Sequence, residues 1–138
     1  AIEDMIKDYD ALLKEAKDPL NLTKVGGDTN TAILNKLSTV KSGEKGGQCG
    51  RFVNKLTGYK LGLGDSYQSK ISKMDPSIRF PEPGMVFVTP YKDTGHTGFI
   101  VAVNNDGTVT VKDSNYGLDE KVRVRTMPIT KITGLARV

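Results

Sequence analysis

The chain has 138 residues but only one cysteine, one histidine and no tryptophan. A single cysteine excludes a disulfide within the chain, so the thiol is buried, reactive or paired with another molecule. A single histidine excludes a metal site built from several imidazoles. The sequence also lacks an apolar run of membrane-spanning length, and we therefore expect no membrane insertion.

Strong charge of one sign is also missing. The net charge is +4, and the Lys and Arg residues are scattered along the chain. Nucleic-acid binding usually shows a dense basic stripe with stacking aromatic residues, so we expect no nucleic-acid partner. A modest positive charge favours an acidic partner, such as a polyanionic polymer of the cell envelope. It is equally compatible with a domain that happens to be basic.

Helical spacing of apolar residues characterises the N-terminal half of the chain. Residues 1–17 show this spacing, and Asp18-Pro19 ends it. This helix either packs on the domain or belongs to a linker from an upstream domain, so we separate residues 1–18 from a domain at 19–138. Further helices are predicted at 29–37, from Cys49 to about Thr57 with Gly58 as C-cap, and within 64–74.

From Pro81 onward the apolar period changes to two, which is typical of strands. The Asn-Asn-Asp-Gly sequence at 104–107 indicates a tight hairpin. Helices followed by strands predict an α+β domain, with N-terminal helices packed on a C-terminal antiparallel sheet of five to six strands. The strands are predicted at 84–88, 97–103, 108–113, 121–127 and 131–138.

The cysteine lies at the start of a predicted amphipathic helix. Helical spacing places on one face Cys49, Phe52, Val53 and Leu56. In the first turn, unpaired N–H groups and the helix dipole favour an anion, which lowers the pKa of a thiol and makes it nucleophilic. The preceding Gly46 and Gly47 allow close approach of other backbone or of a substrate. These features favour a reactive thiol over an inert buried one.

A two-residue loop at Asn105-Asp106 fixes a register for the hairpin. It predicts the pairs Gly98–Asp113, Ile100–Val111, Ala102–Val109 and His96–Asn115. The more apolar face is then expected to pack on a helix, and if that helix is the cysteine helix, Cys49 and His96 meet at the rim of the core. Either Asp113 or Asn115 can reach the imidazole from the neighbouring strand. This face carries His96, Ile100, Ala102, Val109, Val111, Asp113 and Asn115.

A thiol beside an imidazole that a third group orients is the pattern of nucleophilic acyl transfer. Each residue taken alone has a simpler interpretation. A lone cysteine is often a small buried hydrophobe, a lone histidine is often structural, and Asp-Ser-Asn is ordinary turn chemistry. The three placements together favour the catalytic interpretation.

The sequence resembles the CHAP domain, the cysteine, histidine-dependent amidohydrolase/peptidase family, which is related to papain-like and NlpC-type hydrolases. The matching stretches are GGQC at 46–49, PEPGMVFV at 81–88, GHTGFIVAVNNDGTVTVKDSNYG at 95–117 and ITGLARV at 132–138. The step from His96 to Asp113, with Asn115 two residues further on, is the most specific part. The resemblance begins at about residue 20 and implies a papain-like CHAP fold.

The resemblance implies that Cys49 is the nucleophile and His96 the base. It favours Asp113 as the residue that orients the imidazole, with Asn115 as a supporting or substrate contact. The Cys49 backbone N–H and the Gln48 side chain would meet the developing oxyanion. Gln48 is equally consistent with an ordinary residue at a helix start.

Three departures from the family pattern are visible. Gly84-Met85 stands where many members have Gly-Asp, and Asn115-Tyr116 stands where many have Asn-Trp. The missing Trp weakens the aromatic substrate groove, although Tyr91 and Tyr116 flank the same region. Calcium-binding members carry an Asp-rich loop before the nucleophile, whereas this chain has only Glu44 there. We therefore expect no metal and no cofactor.

The family activity implies that the chain cleaves bacterial peptidoglycan, either at the amide between muramic acid and L-Ala or at a peptide bond. The alternatives are a non-catalytic wall-binding or structural module and a papain-like protease acting on proteins. We expect a monomer as an isolated domain, within a larger phage lysin, tail protein or secreted remodelling enzyme. The expected location is extracellular, at the cell wall or on a virion, with no signal peptide in this fragment.

Overall fold

The computed structural model describes residues 27–138. The predicted helix at 1–17 and the proposed boundary at residue 18 lie outside this range. Within the range, three helices are followed by five strands. The helices are α1 (Gly27–Ser38), α2 (Cys49–Thr57) and α3 (Tyr67–Ser72). The strands are β1 (Val86–Thr89), β2 (His96–Val103), β3 (Thr108–Ser114), β4 (Val122–Pro128) and β5 (Gly134–Ala136).

The five strands form one sheet in the order β4-β3-β2-β1-β5, and every neighbouring pair is antiparallel. The predicted α+β class, with helices before an antiparallel sheet, is confirmed. β5 is shorter than the predicted strand at 131–138, because a 3-10 turn at Ile129–Lys131 occupies the start of that segment. None of the helices in residues 27–138 is long and apolar enough to cross a membrane.

The helix ends follow from local chemistry. α2 ends where predicted, because Gly58 adopts a left-handed conformation with φ of 65°. α3 begins after Ser66, whose hydroxyl accepts the Ser69 N–H at 3.0 Å. At the C-terminal end of α1, the Lys112 ammonium donates to the Leu37 carbonyl in the last turn and to the Val40 carbonyl just beyond it. A buried lysine of the sheet thus caps α1.

The β2–β3 hairpin has one more loop residue than predicted. The Asn104 N–H donates to the Thr108 carbonyl at 2.9 Å, and the third loop residue, Gly107, has a φ of 89°. Ala102 therefore pairs with Thr110, and the predicted Ala102–Val109 pair is wrong.

A β-bulge between Ile100 and Ala102 then restores the expected register. The predicted pairs Ile100–Val111 and Gly98–Asp113 are both confirmed. The bulge shifts the chain by one residue, so Val103 rather than Ala102 joins the apolar face.

The helices pack on the sheet face opposite to the one expected. The Phe52 ring of α2 meets Phe99 edge-on at 6.0 Å, and both belong to a core cluster with Val53, Val86 and Val88. The predicted packing of α2 on the Ile100 face is therefore wrong. That face forms a second core cluster, made of Met85, Phe87, Ile100, Val103, Val109, Val111, Met127, Ile129 and Leu135.

Candidate active site

Cys49 is the first residue of α2, so its side chain lies beside the N–H groups of the first turn. Those groups have no partner inside the helix and, with the helix dipole, stabilise a negative charge. Gln48 precedes the helix with an extended backbone and makes no side-chain cap hydrogen bond. The thiol is partly buried. The helix that carries Cys49 therefore stabilises its thiolate.

The segment that leads into Cys49 lies against the end of β3. The Ser114 hydroxyl donates to the Gly47 carbonyl at 2.6 Å, and the Gly46 N–H donates to the Glu120 carbonyl at 2.8 Å. A Cβ at Gly46 would lie only 2.6 Å from the Ser114 hydroxyl oxygen. Glycine at this position permits the close approach that places Cys49 at the end of the sheet.

His96 is the first residue of β2, and its side chain is buried. Its Nε2 lies 2.8 Å from Oδ2 of Asp113, a fully buried residue of β3. The ring also lies beside the Cys49 thiol, because each group shifts the pKa of the other and both line the same groove. Since Asp113 occupies Nε2, Nδ1 is the nitrogen left for the thiol. The structure thus brings Cys49, His96 and Asp113 together, with the imidazole between the thiol and the carboxylate.

The environment shifts the pKa of the thiol downward. Burial alone raises the pKa of Cys49, but the hydrogen bond and charge of His96 outweigh it, helped by the Thr97 backbone N–H and the charge of Lys70. The pKa of His96 is shifted in the other direction. Burial lowers it, but the hydrogen bonds and negative charges of Asp113 and Cys49 raise it above the ordinary value. Opposite shifts favour a thiolate–imidazolium pair.

Asn115 does not pair across the sheet with His96 as the uniform register predicts. β3 ends at Ser114, and Asn115 has a left-handed backbone with φ of 70°. Its side-chain oxygen accepts the Glu120 N–H at 2.9 Å, which closes the loop after β3. Asp113 contacts the imidazole from its position opposite Gly98, diagonal to His96. The geometry assigns the contact with the ring to the acid, and Asn115 shapes the adjacent loop.

Two open grooves meet at His96. The first has a volume of about 440 Å³ and includes Cys49 and Gln48 in its lining. The second has a volume of about 380 Å³ and extends past Tyr116. Tyr91 borders both grooves. Gln48, Tyr91 and Tyr116 therefore border these grooves, and their binding roles remain predictions.

Leu118 lies between the two grooves and was not identified from the sequence. It borders both grooves, it is 70% exposed as a residue, and its backbone is left-handed with φ of 61°. A bulky apolar residue rarely adopts this conformation, and strained residues of this kind cluster at functional sites. A Leu in a polar loop gives no sequence signal for such a position.

Lys70 of α3 is a second residue that the sequence did not reveal. It is buried, and its ammonium donates to the carbonyls of Asp65 at 2.9 Å and Thr94 at 2.8 Å. It borders the groove that contains Cys49, and its charge lowers the pKa of that thiol. A lysine in a Ser- and Lys-rich segment is typical of a solvated helix face, so only the three-dimensional structure identifies it.

Arg125 of β4 is a third residue missed from the sequence. Its Nε donates to Oδ2 of Asp113 at 2.8 Å, and its terminal nitrogen lies 2.7 Å from the same oxygen. The Arg-Val-Arg pattern at 123–125 is typical of a solvent-facing strand edge. A signal was nevertheless available, because a buried carboxylate requires a cation and the neighbouring strand offers arginines.

Metal ligands are not grouped in the described part of the chain. Within residues 27–138, no set of three or more His, Cys, Asp or Glu side chains could hold a metal ion. Glu44, the single carboxylate of the segment before Cys49, is exposed. The expectation that no metal takes part stays a prediction.

Comparison with known proteins shows a likeness of fold and a family match. No curated protein matches the chain. The crystal structure of Ly7917 is similar, with a TM-score of 0.58 and 15% identity over 78% of this chain and 61% of that one. The crystal structure of Ly7917 with the hydrolyzing product of MDP has a TM-score of 0.53 and 16% identity over the same shares, 78% and 61%. The chain thus spans less than two thirds of Ly7917, and at these identities the likeness is one of fold.

The family model of the CHAP domain matches residues 39–115. This range contains the thiol, the imidazole and the carboxylate that the structure brings together. It covers more than half of the chain, and the protein therefore belongs to the CHAP domain family.

Proposed function

We propose that this domain hydrolyses an amide or peptide bond of bacterial peptidoglycan, with Cys49 as the nucleophile. The observation that carries the proposal is the arrangement of Cys49, His96 and Asp113 at the junction of two grooves. A thiol with a lowered pKa, an imidazole and a buried carboxylate together supply a nucleophile, a proton carrier and a group that fixes the ring.

The first half of the reaction forms an acyl-enzyme. The Cys49 thiolate attacks the carbonyl carbon, and the carbonyl oxygen takes the negative charge. We assign the donors to this oxyanion as the Cys49 backbone N–H, at the helix start, and the Gln48 side chain. The C–N bond then breaks, and the imidazolium of His96 gives its proton to the leaving amine. The product is a thioester on Cys49 and a free amine.

The second half returns the enzyme to its starting state. Neutral His96 removes a proton from water, and the hydroxide attacks the thioester carbonyl. The C–S bond breaks, and the carboxylate product leaves. Asp113 holds the ring through Nε2 and stabilises the imidazolium when it forms.

The two grooves suit a substrate that continues on both sides of the cleaved bond. One groove includes Cys49 in its lining and the other extends past Tyr116, while both are bordered by His96. The acyl part and the amine part of a branched wall polymer can therefore lie in separate grooves. That the similar protein Ly7917 was crystallised with the hydrolyzing product of MDP supports a related substrate for this chain.

The proposal extends to the setting of the domain. Peptidoglycan lies outside the cytoplasmic membrane, so the domain would act at the cell wall, either secreted or carried on a phage particle. It would do so as one module of a larger lysin, tail protein or remodelling enzyme. The net charge of +4 supports contact with an anionic wall.

Digestion of purified sacculi tests the proposed function. The wild-type chain and Cys49→Ser are incubated with sacculi, and the released fragments are analysed by mass spectrometry. We expect soluble fragments from the wild type only. A new free amino terminus on L-Ala, together with free muramic acid lactyl carboxylate, would identify an amidase. A new amino terminus elsewhere in the peptide would identify an endopeptidase.

Three other outcomes would contradict the proposal. Binding of the wild-type chain to sacculi without release of fragments would indicate a non-catalytic wall-binding module. Hydrolysis of unfolded casein with no release from sacculi would indicate a protease for protein substrates. Equal release by Cys49→Ser and the wild type would remove the thiol from the mechanism.

A further inference from the structure

Arg125 lies next to the carboxylate that holds the imidazole. β4 pairs with β3 so that Arg125 is opposite Val111 and Arg123 is opposite Asp113. From this diagonal position, two nitrogens of Arg125 reach Oδ2 of Asp113, at 2.8 and 2.7 Å. The Arg125 side chain is only 17% exposed, and that of Asp113 is 0% exposed. The ion pair is therefore largely desolvated, and its geometry is well defined.

Arg125 and His96 share the same carboxylate oxygen. The imidazole Nε2 lies 2.8 Å from Oδ2 of Asp113, the oxygen that also accepts from Arg125. The other oxygen of Asp113, Oδ1, is buried and has no hydrogen-bond partner within residues 27–138. A guanidinium on Oδ2 takes part of the charge that would otherwise stabilise the imidazolium alone. The arginine thus competes with the histidine for one acceptor.

A tyrosine connects the same two residues on the groove side. The guanidinium carbon of Arg125 lies 3.8 Å from the centre of the Tyr116 ring, in a cation–π contact. The Tyr116 ring in turn meets the His96 ring edge-on at 5.7 Å. Arg125 therefore contacts two neighbours of the imidazole, the Asp113 carboxylate and the Tyr116 ring.

We propose that Arg125 is a positioning residue that fixes the Asp113 carboxylate and the Tyr116 ring around His96 and, by sharing Oδ2, sets the pH range over which the imidazole stays protonated. The proposal rests on the proposed function, since it concerns the proton carrier of that reaction. Arg125 itself contacts neither the thiol nor the cleaved bond in this scheme.

The direction of the effect follows from the charges that surround the imidazole. Without the Arg125 cation, the negative charge of Asp113 acts on the imidazolium alone and stabilises it more strongly. His96 should therefore keep its proton to higher pH. The negative groups in contact with His96 are Asp113 and the Cys49 thiolate. Lys70 acts on Cys49, and Arg123 acts on Asp113. The charged residues that line the two grooves around it are Asp65, Lys70, Lys92, Asp93, Arg125 and Lys131.

NMR titration of the imidazole tests the proposal directly, because His96 is the only histidine in the chain. We expect Arg125→Met to raise the titration midpoint by about one pH unit. Arg125→Lys, which keeps the charge but not the planar two-nitrogen contact, should shift it less. Arg137→Met is the matched control, because Arg137 is an exposed arginine that pairs with Glu82. Its midpoint should equal that of the wild type.

Hydrolysis of sacculi provides the second readout. Arg125→Met should lower kcat/KM about tenfold and move the alkaline limb of its pH profile upward, in the direction of the NMR midpoint. Because Arg125 acts in part through Asp113, Arg125→Met should cost the Asp113→Asn variant clearly less than the roughly tenfold that it costs the wild type. This double variant, Arg125→Met/Asp113→Asn, also removes both charges of the buried pair, which protects its folding.

Several outcomes would overturn the proposal. An unchanged or lowered midpoint in Arg125→Met would show that the arginine does not restrain the imidazole. Additive losses in the double variant would show that it acts independently of Asp113. Should Arg125→Met fail to fold by circular dichroism, Arg125→Gln gives the same test, since it removes the charge but keeps a donor. The NMR titration needs no substrate, so the proposal can fail while wall hydrolysis is observed, and the reverse.

Discussion

At the scale of single residues, the site depends on three side chains with unequal burial. Asp113 is fully buried and His96 nearly so, while Cys49 is partly exposed toward a groove. Burial by itself would suppress both the thiolate and the imidazolium. Both charged forms are favoured here because each stabilises the other and because Asp113 supports the imidazolium. The charge pair is therefore a property of the contacts and not of the individual groups.

The pH dependence of the thiol follows from these shifts. The lowered pKa of Cys49 means that its thiolate forms below the ordinary thiol range of about 8.5. The raised pKa of His96 means that its proton is retained above the ordinary range of about 6.5. Activity should therefore rise with pH as Cys49 ionises and fall as His96 loses its proton.

Alkylation by iodoacetamide measures the first limb, because Cys49 is the only thiol in the chain. In His96→Ala, the thiol loses the hydrogen bond and the charge that lower its pKa, while burial still raises it. The pH midpoint of alkylation should therefore be higher in His96→Ala than in the wild type. Equal midpoints in the two proteins would contradict the assignment.

A comparison of Asp113→Asn with Asn115→Ala tests which residue supports the ring. Asp113→Asn keeps the shape of the side chain but removes the negative charge that stabilises the imidazolium, so kcat should fall roughly 10²-fold or more. Asn115→Ala removes the hydrogen bond that closes the loop at Glu120, and its loss should be smaller. Kinetics on purified wall, with circular dichroism as the folding control, decide between them. Greater damage in Asn115→Ala would reverse the assignment.

At the scale of elements, the sequence predicted which segments form helices and strands better than how they pack. The start of α2 at Cys49 and its end at Gly58 follow from spacing and from glycine chemistry, and both are confirmed. The pairs Gly98–Asp113 and Ile100–Val111 are also confirmed.

The predicted register near the turn was wrong because Gly107 serves as a third loop residue. A β-bulge then compensates for this extra residue and restores the predicted register further along the strands. Neither adjustment has a signal in the alternating pattern itself. The prediction of which sheet face α2 covers was wrong for a related reason. Both faces of the sheet are apolar enough to form a core, so relative apolarity could not decide between them.

Lys70 connects α3 to the loop before β2, and its removal should loosen the groove. Lys70→Met keeps the apolar stem but leaves the Asp65 and Thr94 carbonyls without their ammonium donor. Unfolding by urea should show a loss of about 1–3 kcal/mol. The alkylation midpoint of Cys49 should rise, because a nearby cation is lost. Lys73→Met, at an exposed lysine just after α3, is the control and should change neither value. An unchanged midpoint in Lys70→Met would separate the lysine from the thiol.

At the scale of the whole molecule, the layout explains why a single cysteine and a single histidine suffice. α2 covers one face of the sheet, while His96, Asp113 and Arg125 belong to the other face near the end of the strands. The segment through Gly47, held by Ser114, brings Cys49 to that end. The sequence predicted this meeting of thiol and imidazole through a packing that the structure shows to be incorrect. Both faces of the sheet share this end, so Cys49 can reach His96 there although α2 packs on the opposite face.

We expect that hydrolysis by the whole chain does not depend on metal ions. Residues 27–138 contain no group of His, Cys, Asp or Glu side chains that could hold a metal ion, and the loop before Cys49 contributes a single exposed carboxylate. Calcium requires six to eight oxygen ligands, usually with several carboxylates. In the proposed reaction, the oxyanion is met by N–H groups and the nucleophile is activated by His96, so no step requires a cation.

Release of fragments from sacculi should therefore be the same before and after dialysis against EDTA. Addition of calcium or magnesium to the dialysed protein should leave the rate unchanged. Loss of activity in EDTA that calcium restores would show that the full chain supplies ligands to a functional ion.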